Sequence, residues 1–471
     1  MTILSKLGTE FLEQATVQTC MAYYYSDPQR SDKKGEYIMM KMTATGDSIL
    51  IQGYPENGYP GLKEVQEFIG RGEARFGNLE TNITNWDTYC SAYSGGTWMN
   101  AEPRALDQIL NYGFNFLGFA NNHSMDLGPD GLLETVANVK KTGTAIAGAG
   151  ENLAEASKPV FRDFEGGRVG FISVTCSLDP AGIAGNQSRT LKGRPGANLV
   201  RKNKEMYLNQ AHFDALKEIA DVTAINGINE ISIRDGFALP NPEGVLSFAG
   251  YKVKVTDGKE EIVTKCQDGD VKRVLQAVED AKLVADYVVV MLHDHGIKAR
   301  EMGEPDDACH TFCRLLIDNG VDAVIGTGTH QYKPIEIYKG HPIFYSLGNF
   351  CFQSNMVEHQ PADMFDKFKL TDTTDIQGLA ARSQGWKIGH HTQFFNFRSM
   401  IPYMEFEDHK LTKLEIMPIE LGFEKERSKK GIPYPADEKV TGEILARLTE
   451  LSAPYGTELR LNEKGNIDVL L

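Results

Sequence analysis

From residue 41 onward, short runs that are apolar on one or both faces alternate with longer stretches whose apolar residues recur every three or four positions. The short runs KMTATGD (41–47), EARFGNLE (73–80), FNFLGFA (114–120), GRVGFISVTC (167–176), DYVVVML (286–292), DAVIG (322–326) and PIFYSLG (342–348) predict strands, several of them buried on both faces. The stretches 103–112, 130–142, 269–285 and 305–319 predict amphipathic helices. Strand and helix in turn are the pattern of a layered α/β fold. PIEIYKGHPIFYSLG adds a hairpin that turns at Lys339-Gly340.

Two regions break the alternation. Residues 177–268 are rich in Gly, Asn and Pro, carry one helical stretch near 205–220, and read as an insertion over one edge of the sheet. Residues 352–471 are of mixed polarity, end in a helix and strand pattern, and read as a C-terminal cap packed on the core. The chain thus divides into an N-terminal extension (1–40), a main domain (41–351) carrying the insertion, and the cap.

Polar residues gather at the ends of the predicted strands. Asp47 ends the first, Asn78 and Glu80 the second, and Asn122 and His123 the third, while His293 and His295 follow VVVML and His330 follows DAVIGTGT. The carboxyl ends of strands share one edge of an open α/β sheet, so these side chains can meet in a single crevice. A lone Asp, Asn or His after a strand is usually a turn former or a satisfied structural group. Recurrence over five strand ends is what points to a site. Carboxylates, an amide oxygen and imidazoles suit a divalent ion such as manganese, iron, zinc, magnesium or calcium. The period of two puts His293 and His295 on one face if the strand runs that far. Asp126, three residues beyond His123, either orients that imidazole or opens a helix at LGPDG.

Composition narrows the range of functions. With 471 residues, 41% hydrophobic and 24% charged, the chain can bury a large core. A net charge of -15 argues against nucleic acid and anionic membrane surfaces as partners, and a polyanionic substrate would need a local basic pocket. The first forty residues lack the apolar core of a signal peptide, and no later stretch supplies the ~18 consecutive apolar residues of a membrane span. The reading is a cytoplasmic protein without membrane insertion. Seven scattered cysteines with no CxxC pair agree with it, and Cys309 and Cys313, one helical turn apart, read as packing.

Taken together, GDSIL, GNLE, ANNHSMDLG, LHDHG and GTGTHQYKPIEIYKGHPIFYSLGNF resemble the CapA (PgsA-type) capsule or poly-γ-glutamate biosynthesis family, which is related to calcineurin-like metallophosphoesterases. The resemblance covers roughly residues 41–176 and 286–352. It implies a β-sandwich flanked by helices in α/β/β/α layers and a site for one or two divalent ions. In that site Asp47 matches the first metal aspartate, Glu80 the bridging carboxylate, Asn122 the metal amide, His293 and His330 the later ligands, and His123 the catalytic histidine. Two positions depart from the pattern, because Ile49 and Thr327 stand where metallophosphoesterases carry histidines. His295 is then either a stand-in ligand or a further catalytic group beside His123 and Asp126. A weaker echo, GRPGANLVR, brings Arg194 and Arg201, which join Asn78 and Asn349 as candidate contacts for an anionic substrate.

Three functions are compatible with such a site. The first is hydrolase-type chemistry on a small anionic, peptide-type (poly-γ-glutamate-like) or phosphorylated substrate. The second is epimerisation, with bases on both faces of a substrate α-carbon. The third is non-catalytic binding of a polymer or partner in capsule synthesis.

Overall fold

The computed structural model describes residues 39–298, 300, 302–370 and 374–471 of the chain. The N-terminal extension, and with it the reading of its first residues as free of a leader, lies almost wholly outside the described residues. In chain order, the strands that carry or brace the site are β1 (Met40–Ile49), β2 (Ala74–Leu79), β3 (Phe116–Gly118), β4 (Ala145–Ala147), β5 (Gly167–Thr175), β6 (Tyr287–Asp294), β7 (Ala323–Gly328), β8 (His341–Phe344), β9 (Asn349–Phe352), β10 (Arg398–Glu407) and β11 (Lys410–Glu420). A first mixed sheet sets β11, β10, β1, β2, β3 and β4 side by side, with β9 also paired to β1. A second runs β8, β7, β6, β5 in parallel, each edge closed by an antiparallel hairpin partner. The architecture is α/β.

Alternation along the strands explains how the sheets are covered. In β6, Tyr287, Val289 and Met291 enter one buried cluster, while Val288, Val290 and Leu292 enter another. The first cluster also contains Met42 and Ala44 of β1, Phe76 of β2 and Phe116 of β3, so it is the seam between the two sheets. Within it Phe171 of β5 lies 5.1 Å from Phe76 and 5.4 Å from Phe116, ring centre to ring centre. Each such ring contributes roughly 2–3 kcal/mol through the apolar area it buries. The second cluster joins the outer face of β6 to Val278 and Phe312 on the helices Asp268–Lys282 and Asp307–Asp318. A third joins Leu79 and Leu117 of the first sheet to the helices Leu62–Ile69, Pro103–Leu110 and Gly128–Lys141.

The hairpin turns where its sequence predicts. Lys339 (φ 53°) and Gly340 (φ 86°) form the left-handed pair between Ile335–Tyr338 and β8. Elsewhere the structure differs from the pattern. The run 342–348 is a strand only to Phe344, because the chain then bends to bring the Gly348 carbonyl to the Asp47 amide at 3.0 Å. Residues 205–208 belong to a strand rather than to a helix. Lys202–Leu208 is part of a separate four-stranded sheet with Leu246–Phe248, Tyr251–Val255 and Glu261–Cys266, and helices follow at Gln210–Thr223 and Gly227–Arg234. Its residues are only half-buried and mix charge with apolarity, so the alternation is faint in the sequence. The C-terminal stretch supplies β10 and β11 to the first sheet.

Gly46 marks the tightest approach. A Cβ there would lie 1.7 Å from the Gly348 carbonyl oxygen, where no neighbouring side chain can yield. Gly46→Ala should therefore destabilise the protein by on the order of 3–5 kcal/mol, read as a lower denaturant midpoint. An unchanged midpoint would show that β1 and the 346–349 bend can separate at no cost.

Candidate metal centre

Parity along each strand decides what reaches the centre. In β2, Ala74 and Phe76 face the seam, and Asn78 and Glu80 continue the same parity past the end of the apolar layer. In β7, Ala323 and Ile325 face the seam and Thr327 follows. In β6, His293 follows Val289 and Met291, and Asp294 turns the other way. β1 would present the wrong face at position 47, but its pairing with β2 shifts. Ala44 pairs with Phe76 and Asp47 with Asn78, three steps against two. This bulge turns the Asp47 carboxylate onto the seam face.

The ligand atoms then converge. Asp47 is fully buried, accepts from Asn78 Nδ2 at 2.7 Å and from the Gly328 amide at 3.0 Å, and lies 3.6 Å from His293 Nδ1. His293 Nε2 faces Asn122 Oδ1 at 2.7 Å, His295 Nε2 at 3.1 Å and Glu80 Oε1 at 3.7 Å. One N–H cannot serve three acceptors. Although the strand ends at Asp294, His295 still meets His293. His330, in a left-handed backbone conformation (φ 61°), offers Nδ1 to Asn349 Oδ1 at 2.9 Å, and its ring lies 5.5 Å from that of His295. Strain of this kind in a non-glycine residue is typical of functional sites.

Glu80 is the decisive residue. Its carboxylate is 0% exposed, and neither oxygen has a hydrogen-bond partner. Burial pushes its pKa well up, and the charges of Asp47 and Asp126 push it further. A buried, unpaired carboxylate is costly unless a cation compensates it. Two ligand sets, Asp47–Glu80–His293 and Glu80–His295–His330, hold their donor atoms within 4.8 Å of one another and share Glu80. The donor chemistry fits one or two divalent ions. For Asp47, burial raises the pKa, but the hydrogen bond and charge of His293, with His330 and Asn78, outweigh it and hold the carboxyl below its usual range. Burial and the neighbouring imidazoles of His293, His330 and His123 push His295 well down, and burial takes His330 down to about 3 even against Asp47. Neutral imidazoles are the form that binds metal.

His123 stands at the rim. Its Nδ1 lies 2.6 Å from Asp126 Oδ2 and its Nε2 4.0 Å from Glu80. Asp126 is itself fixed by the amides of Gly95 (3.0 Å) and Met99 (2.7 Å), so it orients the imidazole in addition to preceding the helix Gly128–Lys141. Asn122 Nδ2 donates to the Gly95 carbonyl, which aims its Oδ1 at His293. The segment behind the histidines is pinned as well. Asp294 accepts from Lys202 Nζ at 2.5 Å, Lys202 also reaches Asp306 at 2.8 Å, and buried Lys333 donates to the Gly296 carbonyl at 2.6 Å.

The candidate substrate contacts are placed differently. Asn78 and Asn349 are fully buried, and their amides are spent on Asp47 and on His330 with its backbone. Arg201 forks onto Asp270, and Arg194 donates to the Ile183 carbonyl. None of the four lines the cavity at the site. That cavity, of about 690 Å³, is lined by His123, His295 and His330 and by a second wall from the C-terminal region, Arg382, Trp386 and His390, in which His390 packs against His330 at 5.1 Å between ring centres. Sequence reasoning missed the second wall. The adjacent histidines of GHHTQ (389–393) were its one visible signal; Arg382 had none.

Ile49 lines the cavity, and Thr327 Oγ1 lies 3.0 Å from His293 Nδ1, so the two departures leave an apolar side chain at the cavity and a hydroxyl that holds the His293 ring. Among the described residues no helix is long and apolar enough to cross a membrane. Residues 41–354 match the family described as "Bacterial capsule synthesis protein PGA_cap". The chain is similar to "Uncharacterized protein y4uA" of Sinorhizobium fredii, 30% identical over 90% of this chain and 91% of the relative. It is similar to "PGA biosynthesis protein CapA" of Bacillus subtilis, 24% identical over 59% of this chain and 52% of the relative. "Capsule biosynthesis protein CapA" of Bacillus anthracis is 23% identical over 54% and 44%.

Proposed function

The chain belongs to the PGA_cap family of bacterial capsule synthesis proteins, and from that premise we propose that it is a metal-dependent enzyme of the hydrolase type acting on an anionic peptide-type or phosphorylated substrate. The observation that carries the reading is the buried Glu80 carboxylate with two unpartnered oxygens, shared by two ligand sets. On this reading the paired sheets form a calcineurin-like metallophosphoesterase core, residues 177–268 are inserted in it, and of the C-terminal region the stretch 354–391 covers the site while β10 and β11 extend the first sheet. Asp47, Glu80, Asn122, His293, His295 and His330 would hold one or two divalent ions. A bound ion of this kind supplies Lewis acidity and lowers the pKa of water. The protein's own residues do the rest. The cavity walls exclude bulk water, Asn78 and Thr327 fix Asp47 and His293, and His123 carries a proton on Nε2 while Asp126 holds Nδ1.

One observation favours epimerisation as a second reading: beside His123, the imidazoles of His390 and His391 also line the cavity, so more than one base borders the space a substrate carbon would take. One experiment separates the two. Purified protein is assayed for metal content and then, with manganese added, against phosphoesters and γ-glutamyl and other acidic peptides in deuterated water. Stoichiometric metal with cleavage supports the hydrolase, and deuterium entering Cα without cleavage supports the epimerase. Absence of metal together with no manganese-dependent turnover overturns the enzymatic reading in favour of binding.

A further inference from the structure

The second wall of the cavity deepens this reading, on which the following inference rests. Arg382 is the one fixed cation among the described residues that line the cavity, and Asp363 the one fixed anion. Its guanidinium donates to Thr97 Oγ1 at 3.1 Å, and among the described residues no carboxylate pairs with it. Among the described residues no other hydrogen bond engages the guanidinium, which lies over the Phe368 ring at 5.9 Å. Beside it Trp98, Met364 and Leu379 form a buried apolar cluster against which Trp386 packs, with Arg427, itself not part of the cavity lining, 5.1 Å from the Trp386 ring centre. Arg382 and Trp386 lie beyond the stretch 41–354 that defines the family.

We infer that this protein selects a small substrate with a single anionic group beside an apolar or aromatic group, the anion held by Arg382 and the apolar part by Trp98 and Trp386, and that it disfavours extended polyanions. A chain of carboxylates would bring several charges to one guanidinium, meet Asp363 and an overall charge of -15, and lay its remaining anions on an apolar wall. A single anion satisfies the guanidinium and leaves the apolar wall to its neighbour. A volume of about 690 Å³ falls in the range of small-molecule sites.

The test is a binding titration with the whole chain, followed by tryptophan fluorescence and calorimetry. Trp98 and Trp386 lie in the cavity, and the third tryptophan, Trp86, packs on His359 outside it. The probes are N-acetylphenylalaninate, its neutral amide, phenyl phosphate and a γ-linked hexaglutamate. N-acetylphenylalaninate or phenyl phosphate should bind at least about 10-fold more tightly than the amide, and the stronger of the two identifies the anion. Arg382→Met should weaken the anionic probe about 10- to 100-fold and leave the amide unchanged, while Arg382→Lys should restore part of the loss. Tighter binding of hexaglutamate, no discrimination between anion and amide, or no binding by any probe overturns the inference. Metal content is measured on the same samples. Parent protein that discriminates the probes without metal would sink the metal reading alone, and metal-loaded protein that fails to discriminate would sink this inference alone.

Discussion

Replacing Glu80 by Gln is expected to empty the metal centre, taking bound metal below about a tenth of the parent stoichiometry and turnover down by roughly a thousandfold or more, since an activated water would lose the ion that activates it. The change is nearly isosteric and removes one charge. What remains is one carboxylate, Asp47, already engaged by Asn78 and Gly328, together with neutral imidazoles and an amide. Such a set compensates a divalent ion poorly. A second readout separates loss of metal from loss of fold. In metal-free protein the buried Glu80 carboxyl has no hydrogen-bond partner and is held either as a costly charge or by taking up a proton, so metal-free Glu80→Gln should be more stable than metal-free parent by on the order of 2 kcal/mol, read as a higher unfolding temperature. With metal present the order should reverse. Full metal content in Glu80→Gln would show that the two ligand sets do not depend on the residue they share.

His123→Asn should behave in the opposite way, keeping metal while turnover falls ~100- to 10,000-fold, the range typical of a general acid or base. His123 Nε2 is 4.0 Å from Glu80, at the rim, and His123 belongs to neither ligand set. Asp126→Asn should lie between parent and His123→Asn. Asp126 accepts from Gly95 and Met99 as well as facing His123, so an amide nitrogen there would confront a donor and loosen the imidazole without removing it. Normal turnover by metal-loaded His123→Asn would reduce Asn121-to-Asp126 to a structural turn, which its internal bonds, such as Ser124 Oγ to the Phe119 carbonyl at 2.7 Å, would equally allow.

How far the sequence reveals the site depends on the kind of contact involved. β6 is legible because six consecutive residues, Tyr287 to Leu292, are buried alternately in two cores and none needs to be polar. The same parity carries His293 to the centre. Asp47 is legible as a strand-end residue, whereas the face it uses is not, because that rests on a one-residue bulge against β2. The strand Lys202–Leu208 is hidden by a sheet that is half in water, where charged and apolar residues carry little pattern. Arg382 is hidden for another reason. It comes from a surface helix, Asp375–Arg382, in the stretch between β9 and β10 that carries no strand-end pattern, and only the folded cavity brings it to the same space as the histidines. Asn78 and Asn349 are legible as polar residues at strand ends, whereas their hydrogen bonds to Asp47 and His330 are set by the fold and leave no mark in the sequence.

The order of the strands has a consequence for how the chain is made. β1 obtains β2 as a neighbour almost at once, but its other side waits for β9 and β10, which come from residue 349 onward. At ribosomal rates of about 5–20 residues per second, that interval lasts on the order of 15–60 s. Throughout it, half the hydrogen-bonding edge of an apolar strand is unsatisfied, and Asp47 lacks the Gly348 carbonyl that fixes its backbone. A nascent chain in this state is a substrate for chaperones and for pairing with its neighbours on a polysome. A transcript cut short between residues 353 and 397 yields a product that already carries Asp47, Glu80, His293, His295 and His330 and still lacks β10 beside β1.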